Sequence, residues 1–167
     1  ISASVHAEPG RAIVAQAGVT LYTVGTIKEI PGIRTYVSVD GGMSDNLRPA
    51  LYGARYTAAL ASRQGAPGPR PARVVGKHCE SGDIVVDNEY LPGDIAPGDL
   101  LAVPATGAYC FSLSNNYNYV PRPPVVALRG GEARVIVRGE TNDDLLARDA
   151  GFAPERQLGD ASTEGIV

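Results

Sequence analysis

Short runs of β-branched and aromatic residues recur along this chain, and glycine or proline closes almost every one. Val19–Ile27 and Thr35–Val39 are the clearest, with Pro31-Gly32 between them. Such residues suit a pleated, half-buried surface and Pro-Gly is turn chemistry, so the two runs are expected to be antiparallel strands. Ala72–Val75, Ile84–Val86, Leu100–Val103, Val125–Leu128 and Ala133–Val137 continue the series, and Gly130-Gly131 joins the last two as a hairpin. With 20 glycines and 13 prolines in 167 residues, long helices have little room. A mainly-β domain is expected, a barrel or sandwich in which closure removes exposed strand edges.

The remaining segments are less regular. Ile1–Val5 reads as a strand that runs into Glu8-Pro9-Gly10-Arg11, and Ala12–Ala17 as a short helix stopped by Gly18. Thr141–Arg148 reads as the one helix near the C-terminus. Thr141 can cap it, Asp143 and Asp144 suit its positive end, and Arg148 suits the other. Ser62–Pro71 is expected to be a surface loop and residues 150–167 a polar tail. A formal net charge of −3 with scattered arginines gives no field for nucleic acid. No apolar run approaches the roughly 18 residues of a membrane span, and residues 1–7 do not read as a signal peptide, so a cytoplasmic chain is expected. Cys79 and Cys110 are expected to be thiols, because disulfide frameworks belong to smaller, cysteine-denser chains.

Four stretches carry chemistry. In Glu8-Pro9-Gly10-Arg11, a tight turn sets opposite charges where backbone can approach a ligand, although an ordinary surface turn would look the same. Asp40-Gly41-Gly42 lets the chain leave its strand sharply. If a helical turn follows, Arg48 and Tyr52 share a face, with a guanidinium fork suited to a carboxylate, while Asp45 and Asn46 are expected to bond their own backbone. His78-Cys79-Glu80-Ser81-Gly82-Asp83 places a thiol beside two acids, whose charges argue against deep apolar burial of Cys79. Zinc needs a full tetrahedral ligand set, and His6 is the only other histidine, so no metal is expected. After Gly107-Ala108, Tyr109 can offer its hydroxyl to a ligand or serve as half-buried packing.

Taken in order, Glu8-Pro9-Gly10-Arg11, Val39-Asp40-Gly41-Gly42 through Tyr52, Gly76-Lys77-His78-Cys79-Glu80-Ser81-Gly82-Asp83, Gly107-Ala108-Tyr109 and Glu140-Thr141 into Asp144-Leu145-Leu146 closely resemble the C-terminal portion of the fold-type III pyridoxal-phosphate decarboxylases, in their diaminopimelate branch. The resemblance runs from about Val5 to Asp149. It implies a parent with an N-terminal (β/α)8 barrel and a C-terminal β domain. Residues 1–18 would then end the barrel with its last strand and helix, 19–149 would form the β domain, and 150–167 would be the tail.

The same resemblance implies pyridoxal 5'-phosphate as cofactor and the conversion of meso-2,6-diaminopimelate to L-lysine and CO2. It puts Glu8 at the pyridine nitrogen, with Pro9, Gly10 and Arg11 at the cofactor phosphate. Arg11, Arg48, Tyr52, Glu80 and Tyr109 become substrate contacts, with Glu80 on the distal ammonium and Tyr109 touching both substrate and cofactor. Cys79 becomes the proton donor, and Cys79 and Glu80 reach into a partner subunit's site, which implies a homodimer. The only lysines, Lys28 and Lys77, match no cofactor-lysine motif, so the 167 residues are expected to be inactive without the barrel. A related decarboxylase of ornithine or arginine is the first alternative, and a dimerisation module without catalytic role the second. The wording Cys79-Glu80-Ser81-Gly82-Asp83 disfavours the first, and the joint presence of Arg11, Arg48, Cys79, Glu80 and Tyr109 the second.

Overall fold

A computed structural model describes residues 2–151. The chain divides into two compact units, Ile1–Val120 and Pro121–Val167. In the first, α1 (Arg11–Val14) and a 3-10 turn (Ala15–Ala17) lead into β1 (Val19–Ile30). Then follow β2 (Arg34–Val39), α2 (Arg48–Tyr52), β3 (Ala59–Leu60), β4 (Arg70–Val75), β5 (Ile84–Leu91) and β6 (Leu100–Pro104). They form one curled six-stranded sheet in the order β3-β6-β1-β2-β4-β5. Among the described residues no helix is long and apolar enough to cross a membrane.

Alternation explains the sheet. Tyr22 and Val24 of β1, Val37 and Val39 of β2, Ala72 and Val74 of β4, and Leu101 and Val103 of β6 are buried, and the residues between them are less so. Each fully buried valine or leucine contributes about 1.5–3 kcal/mol. The long β1 serves two neighbours: Val19–Thr23 pair with β6, and Val24–Ile30 pair with β2 across a bulge between Val24 and Ile27. The expected turn at Pro31-Gly32 is present, with Gly32 at a φ of 73°.

Strand direction decides where the chemistry goes. β6 and β2 both run antiparallel to β1, and β4 runs parallel to β2. The C-terminal ends of β2, β4 and β6 therefore share one end of the sheet with the N-terminal end of β1. All four chemistry-bearing stretches of this unit emerge there.

The second unit holds the hairpin β7 (Val125–Arg129) and β8 (Glu132–Val137), then α3 (Asn142–Leu146). Gly130 and Gly131, at φ of 59° and 84°, make its turn. Thr141 caps α3 as expected: its hydroxyl accepts from the Asp144 amide while the Asp144 carboxylate accepts from the Thr141 amide.

Three expectations are corrected. Residues 2–9 form no strand, because a lone extended segment has no ladder to join. Arg70 and Pro71 belong to β4 rather than to the preceding loop, the proline being tolerated near the start of the strand, where a missing N–H costs little. Asp83, one of the acids expected to keep its loop solvated, is itself buried. Residues 152–167 of the expected tail lie outside the described residues.

Candidate active site

The segment after β2 folds as its residues dictate. Asp45 accepts from the Gly42 amide through Oδ2 and from the Tyr22 hydroxyl, and Asn46 accepts from the Arg48 amide at 3.4 Å. Burial of the Tyr22–Asp45 pair raises both groups above their ordinary pKa ranges. These bonds launch α2 with Pro49 in its first turn and end it at Gly53, whose φ is 61°. One helical turn puts the Arg48 guanidinium 5.3 Å from the centroid of the Tyr52 ring, and the same guanidinium lies 5.7 Å from the centroid of Tyr109.

Tyr109 adopts a φ of 62° after β6 and is half exposed. Its hydroxyl abuts Gly10, where a β-carbon would stand 2.2 Å from the oxygen. The turn before α1 is thereby brought to the arginine helix. Next to it, Arg11 donates to the Ala105 carbonyl at 3.3 Å and stacks 5.9 Å from the Tyr56 ring. Tyr56 and the Cys110 thiol are 3.6 Å apart, and Cys110 donates to Asn46 at 3.4 Å. Burial raises both the Cys110 thiol and the Tyr56 phenol. Arg11, Tyr56, Cys110, Asn46, Arg48, Tyr109 and Gly10 thus form one continuous chain of contacts. Two guanidinium nitrogens within it, Nη1 of Arg11 and Nε of Arg48, are buried and have no hydrogen-bond partner among the described residues.

The loop between β4 and β5 supplies no member of that chain but is bonded to the segment before α2, Lys77 N donating to Gly41 O at 3.0 Å and Met43 N to Asp83 Oδ1 at 2.7 Å. Cys79 and Glu80 are exposed, and Glu80 turns its carboxylate back to the Gly82 amide at 3.3 Å. Beneath them His78 donates its amide at 2.9 Å and sets Nδ1 2.7 Å from Asp83, while its ring stacks on Tyr117. Cys79 and Cys110 are both free thiols. Glu8 and Pro9 are exposed on an unpaired segment.

Of the residues singled out from sequence, the structure brings together Gly10, Arg11, Arg48, Tyr52 and Tyr109. Cys79 and Glu80 sit on a separate loop, and no contact joins Glu8 to the cluster among the described residues. Tyr56, Asn46 and Cys110 were missed as members. Only the adjacency of Cys110 to Tyr109 could have signalled one of them.

A curled sheet with an arginine–aromatic cluster at one end and an exposed thiol loop beside it has a counterpart among known proteins. The family model described as "Pyridoxal-dependent decarboxylase, C-terminal sheet domain" matches residues 12–107, and the chain belongs to this family. Within it, the chain is 60% identical over 144 residues to diaminopimelate decarboxylase of Mycobacterium bovis, covering 84% of this chain and 32% of that protein. It is 53% identical over 145 residues to the Bacillus subtilis enzyme of the same name, covering 87% of this chain and 33% of the relative. A crystal structure of diaminopimelate decarboxylase from M. jannaschii in complex with L-lysine superposes with a TM-score of 0.79 at 37% identity, over 85% of this chain and 32% of that one. The chain spans about a third of the length of the curated relatives it matches.

The residues present fit the family's cofactor. A phosphate or carboxylate oxygen would satisfy the partnerless Arg11 and Arg48 nitrogens, and the missing side chain at Gly10 makes room for the Tyr109 hydroxyl beside them.

Proposed function

We propose that these residues are the C-terminal part of a pyridoxal 5'-phosphate-dependent decarboxylase that converts meso-2,6-diaminopimelate to L-lysine and CO2. The observation that carries the reading is the pair of arginines with partnerless buried nitrogens, Arg11 and Arg48, stacked on aromatic rings at one end of the sheet. A phosphorylated cofactor and a substrate with two carboxylates need such cations. Residues 1–18 belong to the end of a (β/α)8 barrel, 19–149 to the β domain and 150–167 to a tail. The lysine that holds the cofactor lies in the barrel.

When bound, pyridoxal phosphate supplies an electron sink for the pair released as the carboxylate departs. Pro9, Gly10 and Arg11 bind the phosphate, and Glu8 keeps the pyridine nitrogen protonated through its negative charge. Arg48 and Tyr52 orient the distal carboxylate, and Arg48 cannot drift because rings flank it. Tyr109 contacts both substrate and cofactor. Glu80 holds the distal ammonium, and Cys79 gives its Sγ proton to the carbon that has lost CO2. Both act in the partner subunit's site of a homodimer, a reading supported by the exposure of both side chains in the single chain.

The test is CO2 release and lysine formation by the full-length protein with pyridoxal phosphate and meso-2,6-diaminopimelate, with ornithine and arginine run beside it. Diaminopimelate is expected to be preferred, and the 167 residues alone are expected to release nothing. Equal or better turnover of ornithine or arginine would overturn the substrate assignment.

A further inference from the structure

Asp83 draws its partners from two different loops at the site end of the sheet. Its Oδ1 accepts from the Met43 amide at 2.7 Å, in the segment that leads to Arg48. Its Oδ2 accepts from the His78 amide at 2.9 Å and lies 2.7 Å from His78 Nδ1. The side chains of Asp83 and His78 are 2% and 0% exposed, so the pair is shielded from bulk solvent. Backbone bonds add to the junction: Lys77 N donates to Gly41 O at 3.0 Å and Gly76 N to Asp83 O at 2.9 Å.

Space for this carboxylate is reserved by glycine on both sides. A β-carbon at Gly42 would stand 2.5 Å from both Asp83 oxygens, and one at Gly76 would stand 2.0 Å from Oδ2. A carboxylate with several N–H partners, enclosed by two glycines from different loops, is built to hold those loops in register. Tyr117 backs the histidine ring at 5.6 Å between centroids. His78 ends where the exposed Cys79 and Glu80 begin, so fixing His78 fixes the base of that pair.

We propose that Asp83 and His78 are positioning residues, a buried clamp that sets the Cys79–Glu80 loop against the loop that launches Arg48. The catalytic part of this inference rests on the function proposed above, but the coupling of the two loops does not. Through the clamp, the thiol and the arginine keep a fixed relation within one chain even where each serves a different active site of the dimer.

The test compares three variants of the full-length protein loaded with pyridoxal phosphate. His78→Leu removes the ring donor, and Gly76→Ala drives a β-carbon into the carboxylate without altering either clamp residue. His78→Asn is the conservative variant, since its Nδ2 takes the place of Nδ1. His78→Leu and Gly76→Ala are each expected to lower turnover by up to about 10²-fold, the scale of a small misplacement remote from the chemistry. His78→Asn is expected to stay within about threefold of the parent. Amide hydrogen exchange, which needs no turnover, is expected to accelerate at residues 40–46 as well as 76–83 in the first two variants and in neither segment of the third. Unchanged exchange at 40–46 overturns the coupling. Faster exchange with unchanged turnover, or no rescue by asparagine, overturns the positioning role. A parent without decarboxylase activity would refute the proposed function instead, and exchange alone would then decide the clamp. Should His78→Leu fail to fold, Gly76→Ala against His78→Asn carries the same comparison.

Discussion

The Tyr109 hydroxyl occupies the place that a β-carbon on Gly10 would need, 2.2 Å away. The contact joins the turn before α1 to the loop after β6, and through Tyr109 it reaches the face of Arg48. Gly10→Ala is therefore expected to swing the tyrosine outward. Because Tyr109 is half exposed, stability should change by less than about 1 kcal/mol. Cofactor affinity of the full-length protein should fall about tenfold, read by absorbance titration with pyridoxal phosphate. Unaltered affinity would separate Tyr109 from the cofactor.

Arg48→Ala deletes a charge-assisted partner worth about 1.5–3 kcal/mol, so KM for diaminopimelate is expected to rise about 10- to 100-fold with a smaller change in kcat. Arg48→Lys should recover only part of the loss, because an ammonium lacks the planar face that lies over Tyr52 and Tyr109. Steady-state kinetics with a substrate lacking the distal carboxylate provide the control. Equal losses for both substrates would count against the assignment.

Cys79→Ala should lower kcat by about 10²–10⁴-fold while leaving cofactor absorbance intact, the range expected for a positioned proton donor. Cys79 is exposed and Cys110 is buried, so alkylation should mark Cys79 first and remove activity in parallel. Retained turnover after complete Cys79 modification would end its role as donor.

Leu101, fully buried between β1 and β3, ties the sheet together where the site-bearing loops depart. Leu101→Ala is expected to cost about 2–5 kcal/mol, seen as a lower midpoint in urea with an unchanged slope.

Acid should weaken the fold through Asp94 and Asp99. Hydrogen bonds from Arg63, with lesser help from the Ala96 amide and Ser62, hold the Asp99 carboxyl below its usual range; the Ala66 amide and then Arg63 do the same for Asp94. Both groups bind protons less readily folded than unfolded. Their contribution is therefore present above the unfolded value of about 3.9 and is lost as pH falls below it. Asp45 has the opposite sign, since burial raises its carboxyl and its contribution fades as pH rises through the folded value. Urea midpoints measured down from pH 5 should fall steeply for the parent and less steeply for Asp99→Asn.

Most strands were legible because alternation and turn chemistry are local: Val37 and Val39 announce their face two residues at a time, and Gly130-Gly131 needs no distant partner. The capping box at Thr141 and Asp144 was equally local. The parallel pairing of β2 with β4 was not legible, since it depends on a crossover whose short β3 has no periodicity to betray it. Of the candidate site, the motif residues could be named one by one, yet the membership of Tyr56 and Cys110 arises from contacts 54 residues apart. Asp83 shows the limit most clearly. Its charge argued for solvent, whereas three donors and two glycines make burial favourable.

The parallel register of β2 and β4 also bears on how the chain acquires its chemistry. Arg11 finds the Ala105 carbonyl across 94 residues, and the Asp83 carboxylate finds Met43 across 40. Contacts of such long reach form only after loop-closure entropy has been overcome by sheet pairing. The geometry of the arginine cluster therefore depends on the strands between its members being in place. A chain that had paired only its hairpins would carry every residue of the cluster and none of its geometry.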